Sequence, residues 1–183
     1  HGVTDFSAHL AAFNQPGALD EHFSDVFAAM IDTANWTIGE GTPAAALGLM
    51  RDMRDPTAFS QPDNMGAFVV TTGDFGGRHI NNGIPNKVAF LVTVGGFHRG
   101  FQISGLGRIK TERLWYEVLT TKLGPNSDFA QQRDLTVLQA DTWATGHKNG
   151  FTSSDACNVR NAFASVGLGD GNADCDANGD AVD

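Results

Sequence analysis

The sequence predicts a mainly α-helical domain with long ordered loops. Apolar residues recur at helical spacing in several separate stretches. Gly and Pro clusters interrupt those stretches. Residues 34–78 are rich in Gly, Pro, Asp and Asn and lack sustained periodicity. With 183 residues, 41% of them hydrophobic, the chain is long enough for one globular core.

The elements follow in order. Val3, Phe6 and Leu10 predict a helix from His1 to about Phe13, broken by Gln15-Pro16-Gly17. A second helix should run from about Leu19 to Thr33, with Phe23, Val26, Phe27, Met30 and Ile31 as its apolar stripe. Residues 34–78 read as a long loop with short helical turns, and loops of that length are usually functional or held by metal. A helix over Asn81–Val94 should stop at Gly95-Gly96, with Pro85 in its first turn. Glu112–Lys122 should be helical, with Leu114, Trp115, Val118 and Leu119 inward. Asn126 or Ser127 could cap a helix to about Ala144, and Ser153 or Ser154 another to Val166. No internal repeat and no boundary precede Gly169, so residues 1–168 form one unit and 169–183 an acidic tail.

Charge narrows the function classes. The formal net charge is -9. Five acids (Asp170, Asp174, Asp176, Asp180, Asp183) fall in the last fourteen residues, without a Lys or Arg among them. That pattern favours Ca²⁺ over a polyanion, and the absence of a basic block argues against nucleic acid. No apolar run approaches the roughly 18 residues of a membrane span. His1 in place of Met points to a processing product or a cut through a longer chain. Cys157 and Cys175, eighteen residues apart, suggest a secreted protein with one disulfide; two unrelated thiols are the alternative.

Several residues carry chemistry. Glu21 and Asp25 are four apart on a helix and share a face. They could bind a metal or orient a ligand histidine, or form a solvated polar face. His79 follows Asp74-Phe75-Gly76-Gly77-Arg78, a loop able to present an imidazole at a helix start; a capping or surface histidine is the plainer reading.

Taken together, the motifs resemble those of thermolysin-family zinc endopeptidases in order and spacing. His1-Gly2-Val3-Thr4-Asp5-Phe6 resembles the end of that family's H-E-x-x-H helix, with His1 on the second histidine. Gly17-Ala18-Leu19-Asp20-Glu21-His22-Phe23-Ser24-Asp25-Val26-Phe27 resembles G-A-x-N-E-x-x-S-D-x-F. Arg51-Asp52-Met53-Arg54-Asp55-Pro56 resembles R-x-M-x-D-P. Residues Asp74 to Lys87 resemble D-x-G-G-V-H-x-N-S-G-I-x-N-K. Gly105 to Arg108, Leu114-Trp115-Tyr116, the Pro125–Phe129 turn and Ala162 to Gly167 fit the helical remainder.

The resemblance implies the helical C-terminal domain of the thermolysin-like fold and a set of roles. His1 and Glu21 would be zinc ligands. Asp20 would accept from the His1 ring, and Asp25 would hold the family's first zinc histidine, which would precede His1. His79 would donate to the oxyanion, with Asp74 fixing its tautomer. Arg51 would bind a substrate carbonyl, and Ile38 and Met50 would line an apolar pocket for the residue after the scissile bond. The general-base Glu would also precede His1, so residues 1–183 alone would be inactive without the N-terminal half of the catalytic region. Ala12 stands where the family has an oxyanion-binding Tyr. Asp32, Asn35, Thr37 and Glu40 resemble the family's calcium cluster with fewer charges, which implies weaker binding. Asp174, Asp176, Asn178 and Asp180 read as the front of an EF-hand-like loop. The expected partner is a peptide or protein substrate, and the expected location extracellular. The alternatives are a non-catalytic scaffolding relative and a calcium-dependent adhesion module.

Overall fold

The computed structural model describes residues 1–39, 50–172 and 175. Seven α-helices occur among them: α1 Gly2–Asp5, α2 Asn14–Ile31, α3 Asp74–Asn81, α4 Gly83–Val94, α5 Arg108–Thr121, α6 Phe129–Thr145 and α7 Ser153–Ser165. Two small antiparallel ribbons accompany them. Strand β1 (Thr37–Ile38) pairs with β2 (Arg51–Asp52), and β3 (Gly95–His98) with β4 (Phe101–Ser104). The mainly helical expectation holds.

The core lies where α2, α4, α5, α6 and α7 meet. Leu19, Phe23 and Val26 of α2 are buried with Val88 and Leu91 of α4, and with Leu114, Trp115 and Leu119 of α5. Trp115 stacks on Phe163 of α7, rings 9° from parallel and 6.4 Å apart. Gly17 is close-packed, because a Cβ there would lie 2.8 Å from the Ala12 carbonyl.

Several boundaries differ from expectation. The first helix ends at Asp5, not Phe13: His9 is left-handed at φ 51°, and the Ala11 N–H donates to the Pro125 carbonyl, which draws the chain toward α6. Helix α2 starts five residues early, since Pro16 fits its first turn and the missing N–H costs nothing there. Ile31 of the expected stripe is 85% exposed. The helix expected over 81–94 is α4, begun two residues later, while α3 occupies residues 74–81, mostly where loop was expected, and is entered through left-handed Asp74, Phe75, Gly76 and Gly77. Gly95 stops α4 as expected and then opens the β3–β4 ribbon, turned by Arg99-Gly100 at positive φ. Helix α5 begins four residues early, directly after Gly107. The caps of α6 and α7 are Asp128, which accepts from the Gln131 N–H, and Thr152, which forms a capping box with Asp155. Ser127 instead accepts from the Gly124 N–H in the preceding turn.

The described part of the long loop around Trp36 is held in place. Trp36 packs edge-on against Phe90 at 5.4 Å, and the Arg108 guanidinium lies 4.6 Å from the Trp36 ring centre. Cys157 and Cys175 are joined in a disulfide, which anchors the start of the tail to α7. No helix among the described residues is long and apolar enough to cross a membrane.

Candidate metal centre and its surroundings

Helix α2 supplies the carboxylates. Asp20, Glu21 and Asp25 fall on one side of it, and all three are buried. Their burial needs partners, because an unpaired carboxylate away from water is costly. The partners come from three directions: His1 ahead of α1, Arg51 in β2, and the α3–α4 segment.

At the upper level, cations and imidazoles converge on Glu21. His1 Nδ1 meets Asp20 Oδ2 at 2.9 Å, and His1 Nε2 faces Glu21 Oε1 at 3.6 Å. His79 Nε2 approaches the same oxygen at 3.3 Å. Arg78 donates to Glu21 Oε1 through Nε at 2.7 Å and through Nη2, and its Nη2 also reaches Asp20 Oδ2 at 3.1 Å. The His1 and His79 side chains are 48% and 44% exposed, whereas that of Glu21 is 7% exposed. The cluster therefore opens to solvent on the imidazole side. Burial raises the Asp20 carboxyl above its usual range, and neighbouring Glu21 adds to this against the pull of Arg78.

His79 is held tightly. Its Nδ1 lies 2.5 Å from Asp74 Oδ1, and its backbone N–H donates to Asp74 Oδ2 at 2.7 Å. Burial works to raise the Asp74 carboxyl, but these bonds from His79 outweigh it and the net shift is downward. The bend that allows this needs glycine at one point especially. A Cβ on Gly76, at φ 82°, would come within 2.1 Å of Asn14 Oδ1.

One turn further along α2 the picture changes. Asp25 accepts from Arg51 Nε and Nη2 at 2.8 and 2.7 Å, from Asn82 at 3.0 Å and from Asn86 at 2.8 Å. Asn86 Oδ1 meets His22 Nδ1 at 2.8 Å, and Trp115 Nε1 donates to His22 Nε2 at 2.8 Å. His22 is thus a neutral buried imidazole; burial pushes its pKa down to about 4 against the opposing bond to Asn86. Burial also raises Asp25, offset only in part by Arg51.

The structure brings together His1, Asp20, Glu21, Asp74 and His79, and joins Asp25 to Arg51. Met50 donates its N–H to the Ile38 carbonyl at 2.9 Å, so these two are neighbours beside Arg51. Asp32 accepts from the Ala34 N–H, and Asn35 accepts from the Thr37 N–H and hydroxyl. Glu40, Asp174, Asp176, Asn178 and Asp180 lie outside the described residues. Two features escaped the sequence reading: Arg78, and the His22–Asn86–Trp115 chain. The signal for Arg78 was present, since the motif it sits in has Val at that position.

The donors suit zinc. Ligand atoms from His1, Asp20 and Glu21 lie within 4.8 Å of one another, and among the described residues no other group of three His, Cys, Asp or Glu does so. With Nδ1 turned to Asp20, the His1 lone pair at Nε2 faces Glu21. Two ligands of a tetrahedral zinc with ~2.0–2.1 Å bonds lie about 3.3 Å apart, close to the spacing seen. An imidazole ahead of α1 and a carboxylate on α2, with a second carboxylate behind the imidazole, form a donor set that could hold a metal ion.

Comparison with known proteins agrees. A family model described as "Thermolysin metallopeptidase, alpha-helical domain" matches residues 8–168. Neutral protease B of Bacillus subtilis (strain 168) is 37% identical over 171 residues, covering 92% of this chain and 31% of that protein. Bacillolysin of Brevibacillus brevis is 40% identical over 142 residues, covering 76% of this chain and 27% of that one. The structure of the precursor of protealysin, a metalloproteinase from Serratia proteamaculans, superposes with a TM-score of 0.70 at 31% identity, covering 92% of this chain and 55% of that chain. The chain belongs to the thermolysin family of metallopeptidases and carries its α-helical domain. It spans about a third of the length of the curated relatives it matches.

Proposed function

We propose that the protein acts as a zinc-dependent endopeptidase, with residues 1–168 forming the helical part of its catalytic region. The convergence of His1, His79 and the Glu21 carboxylate, from three segments distant in sequence, is the observation that carries this reading. His1 and Glu21 serve as metal ligands, and Asp20 fixes the His1 tautomer. Zinc held there would supply an activated water and a Lewis acid.

The remaining chemistry belongs to the chain's own side chains. Asp74 holds the Nδ1 proton of His79, so Nε2 faces the cleft and donates to the oxygen that becomes negative as a peptide carbonyl is attacked. With Ala12 in place of a Tyr, His79 carries more of that load. Arg51 is oriented by Asp25 for a substrate carbonyl, and the neighbouring Ile38 and Met50 would line an apolar pocket for the residue after the scissile bond. In this reading the first zinc histidine and the general-base Glu are not among residues 1–183, which are inactive by themselves. The disulfide supports an extracellular location. The reading extends to calcium binding at Asp32, Asn35, Thr37 and Glu40, and at the Asp174–Asp180 segment of the tail. A rise in the thermal midpoint on adding Ca²⁺ after chelation is its check.

The test is hydrolysis by the full-length protein of a peptide with a large apolar residue after the scissile bond. Activity should disappear with a chelator and return with zinc. A zinc-loaded full-length protein that binds such peptides without cleaving them would make it a binding module.

A further inference from the structure

The Arg78 side chain binds the Glu21 oxygen that would ligate a metal beside His1. Its Nε and Nη2 both donate to Glu21 Oε1, the oxygen that faces His1 Nε2 and His79 Nε2. Its Nη2 also bonds Asp20, the residue behind His1. The guanidinium is 18% exposed and lies between two carboxylates that are 11% and 7% exposed. Two buried acids so close repel each other and need a cation between them. In the D-x-G-G-V-H pattern that this segment resembles, the residue is Val, which offers no charge.

We infer that Arg78 is a metal-surrogate residue: it neutralises Asp20 and Glu21 while the centre is metal-free and is displaced when zinc binds. The inference rests on the proposed zinc site. The two lone pairs of Glu21 Oε1 cannot both accept from the guanidinium and also reach an ion beside His1 Nε2, so an ion ligated through that oxygen would break the Arg78 contacts. The proximity of two positive charges within one cradle adds repulsion. Arg78 thereby stabilises the metal-free protein and weakens its hold on zinc, two effects of one contact.

The experiment compares the full-length protein with Arg78→Val and Arg78→Lys. Zinc affinity is measured by competition with a chromogenic chelator, and the thermal midpoint is recorded with and without metal. Arg78→Val should bind zinc about tenfold or more tighter, as expected for removing charge-assisted bonds that compete with the ion. Its metal-free midpoint should fall, and the rise on adding zinc should widen. Arg78→Lys should lie between, because it keeps the charge but not the paired N–H geometry. Arg78→Val that binds zinc equally or more weakly overturns the inference, since a merely damaged site would lose affinity. If neither the parent nor any variant binds zinc, the metal-site reading itself fails and takes this inference with it.

Discussion

Glu21 and Asp25 are carboxylates one turn apart on α2, equally buried, yet their surroundings are opposites. Asp25 accepts four hydrogen bonds from Arg51, Asn82 and Asn86, and the network continues through His22 to Trp115 in the core. Glu21 faces Arg78 and two half-exposed imidazoles. The lower site is saturated by neutral amides and one bidentate arginine. The upper one is crowded by one arginine and two imidazoles. The same helix thus holds a saturated anchor below and a solvent-open polar cluster above, and the anchor helps keep that cluster in register.

Four experiments would break or sharpen that contrast. Asp25→Ala leaves Arg51 as an uncompensated, mostly buried charge, and should cost about 3–5 kcal/mol in denaturant unfolding. A loss below about 1 kcal/mol would mean the lower site is not an anchor. His79→Ala should act on the upper site alone. In the full-length protein kcat should fall about 10²–10³-fold with KM little changed and zinc content intact, while unfolding free energy stays nearly constant. Normal kcat there would make His79 structural.

The third experiment uses pH. His22 has its folded pKa depressed from 6.5 to about 4, so the unfolded chain takes up this proton first as pH falls. Its contribution is present in full above about pH 6.5 and is lost on going down toward pH 4, some ~3 kcal/mol in total. The raised Asp20 and Asp25 act with the opposite sign, favouring the folded state as they protonate. His22→Gln, measured by unfolding at several pH values across that window, should flatten the loss; an unchanged slope would assign it elsewhere. The smallest effect is expected at Arg54, whose 69% exposed side chain pairs with Asp52 at 3.4 Å. Arg54→Ala should change stability by no more than about 0.5 kcal/mol, against several for Arg51, three residues away.

The upper site was legible in the sequence because its residues sit in long collinear motifs. Asp20-Glu21, Asp74 and His79, together with Asp25 of the lower site, could be singled out and grouped before any fold was known. The helical class was legible too, since Phe23, Val26, Leu114, Val118, Val159 and Phe163 keep helical spacing and are all buried. What remained hidden depends on tertiary pairing. His22 looked like one more polar residue on α2, and only the packing of α5 against it reveals Trp115 as its partner. The β3–β4 ribbon was hidden because Gly95-Gly96 signals a helix stop equally well. The early end of the first helix is set by a bond from Ala11 to Pro125, more than a hundred residues away. The disulfide partnership required a Cα separation, 5.8 Å, that spacing alone cannot supply.

Helix α2 also limits how this chain can change over generations. Each α-helical residue advances the chain by about 1.5 Å and turns it by about 100°. Adding or deleting one residue between Asp20 and Asp25 would swing Asp25 away from Arg51 while Glu21 stayed in place, or the reverse. Side-chain replacement along this stretch can be gradual, as Asp20 illustrates by departing from the usual pattern. Length change within it cannot, so drift in length should collect in the loops and at the chain's outer end.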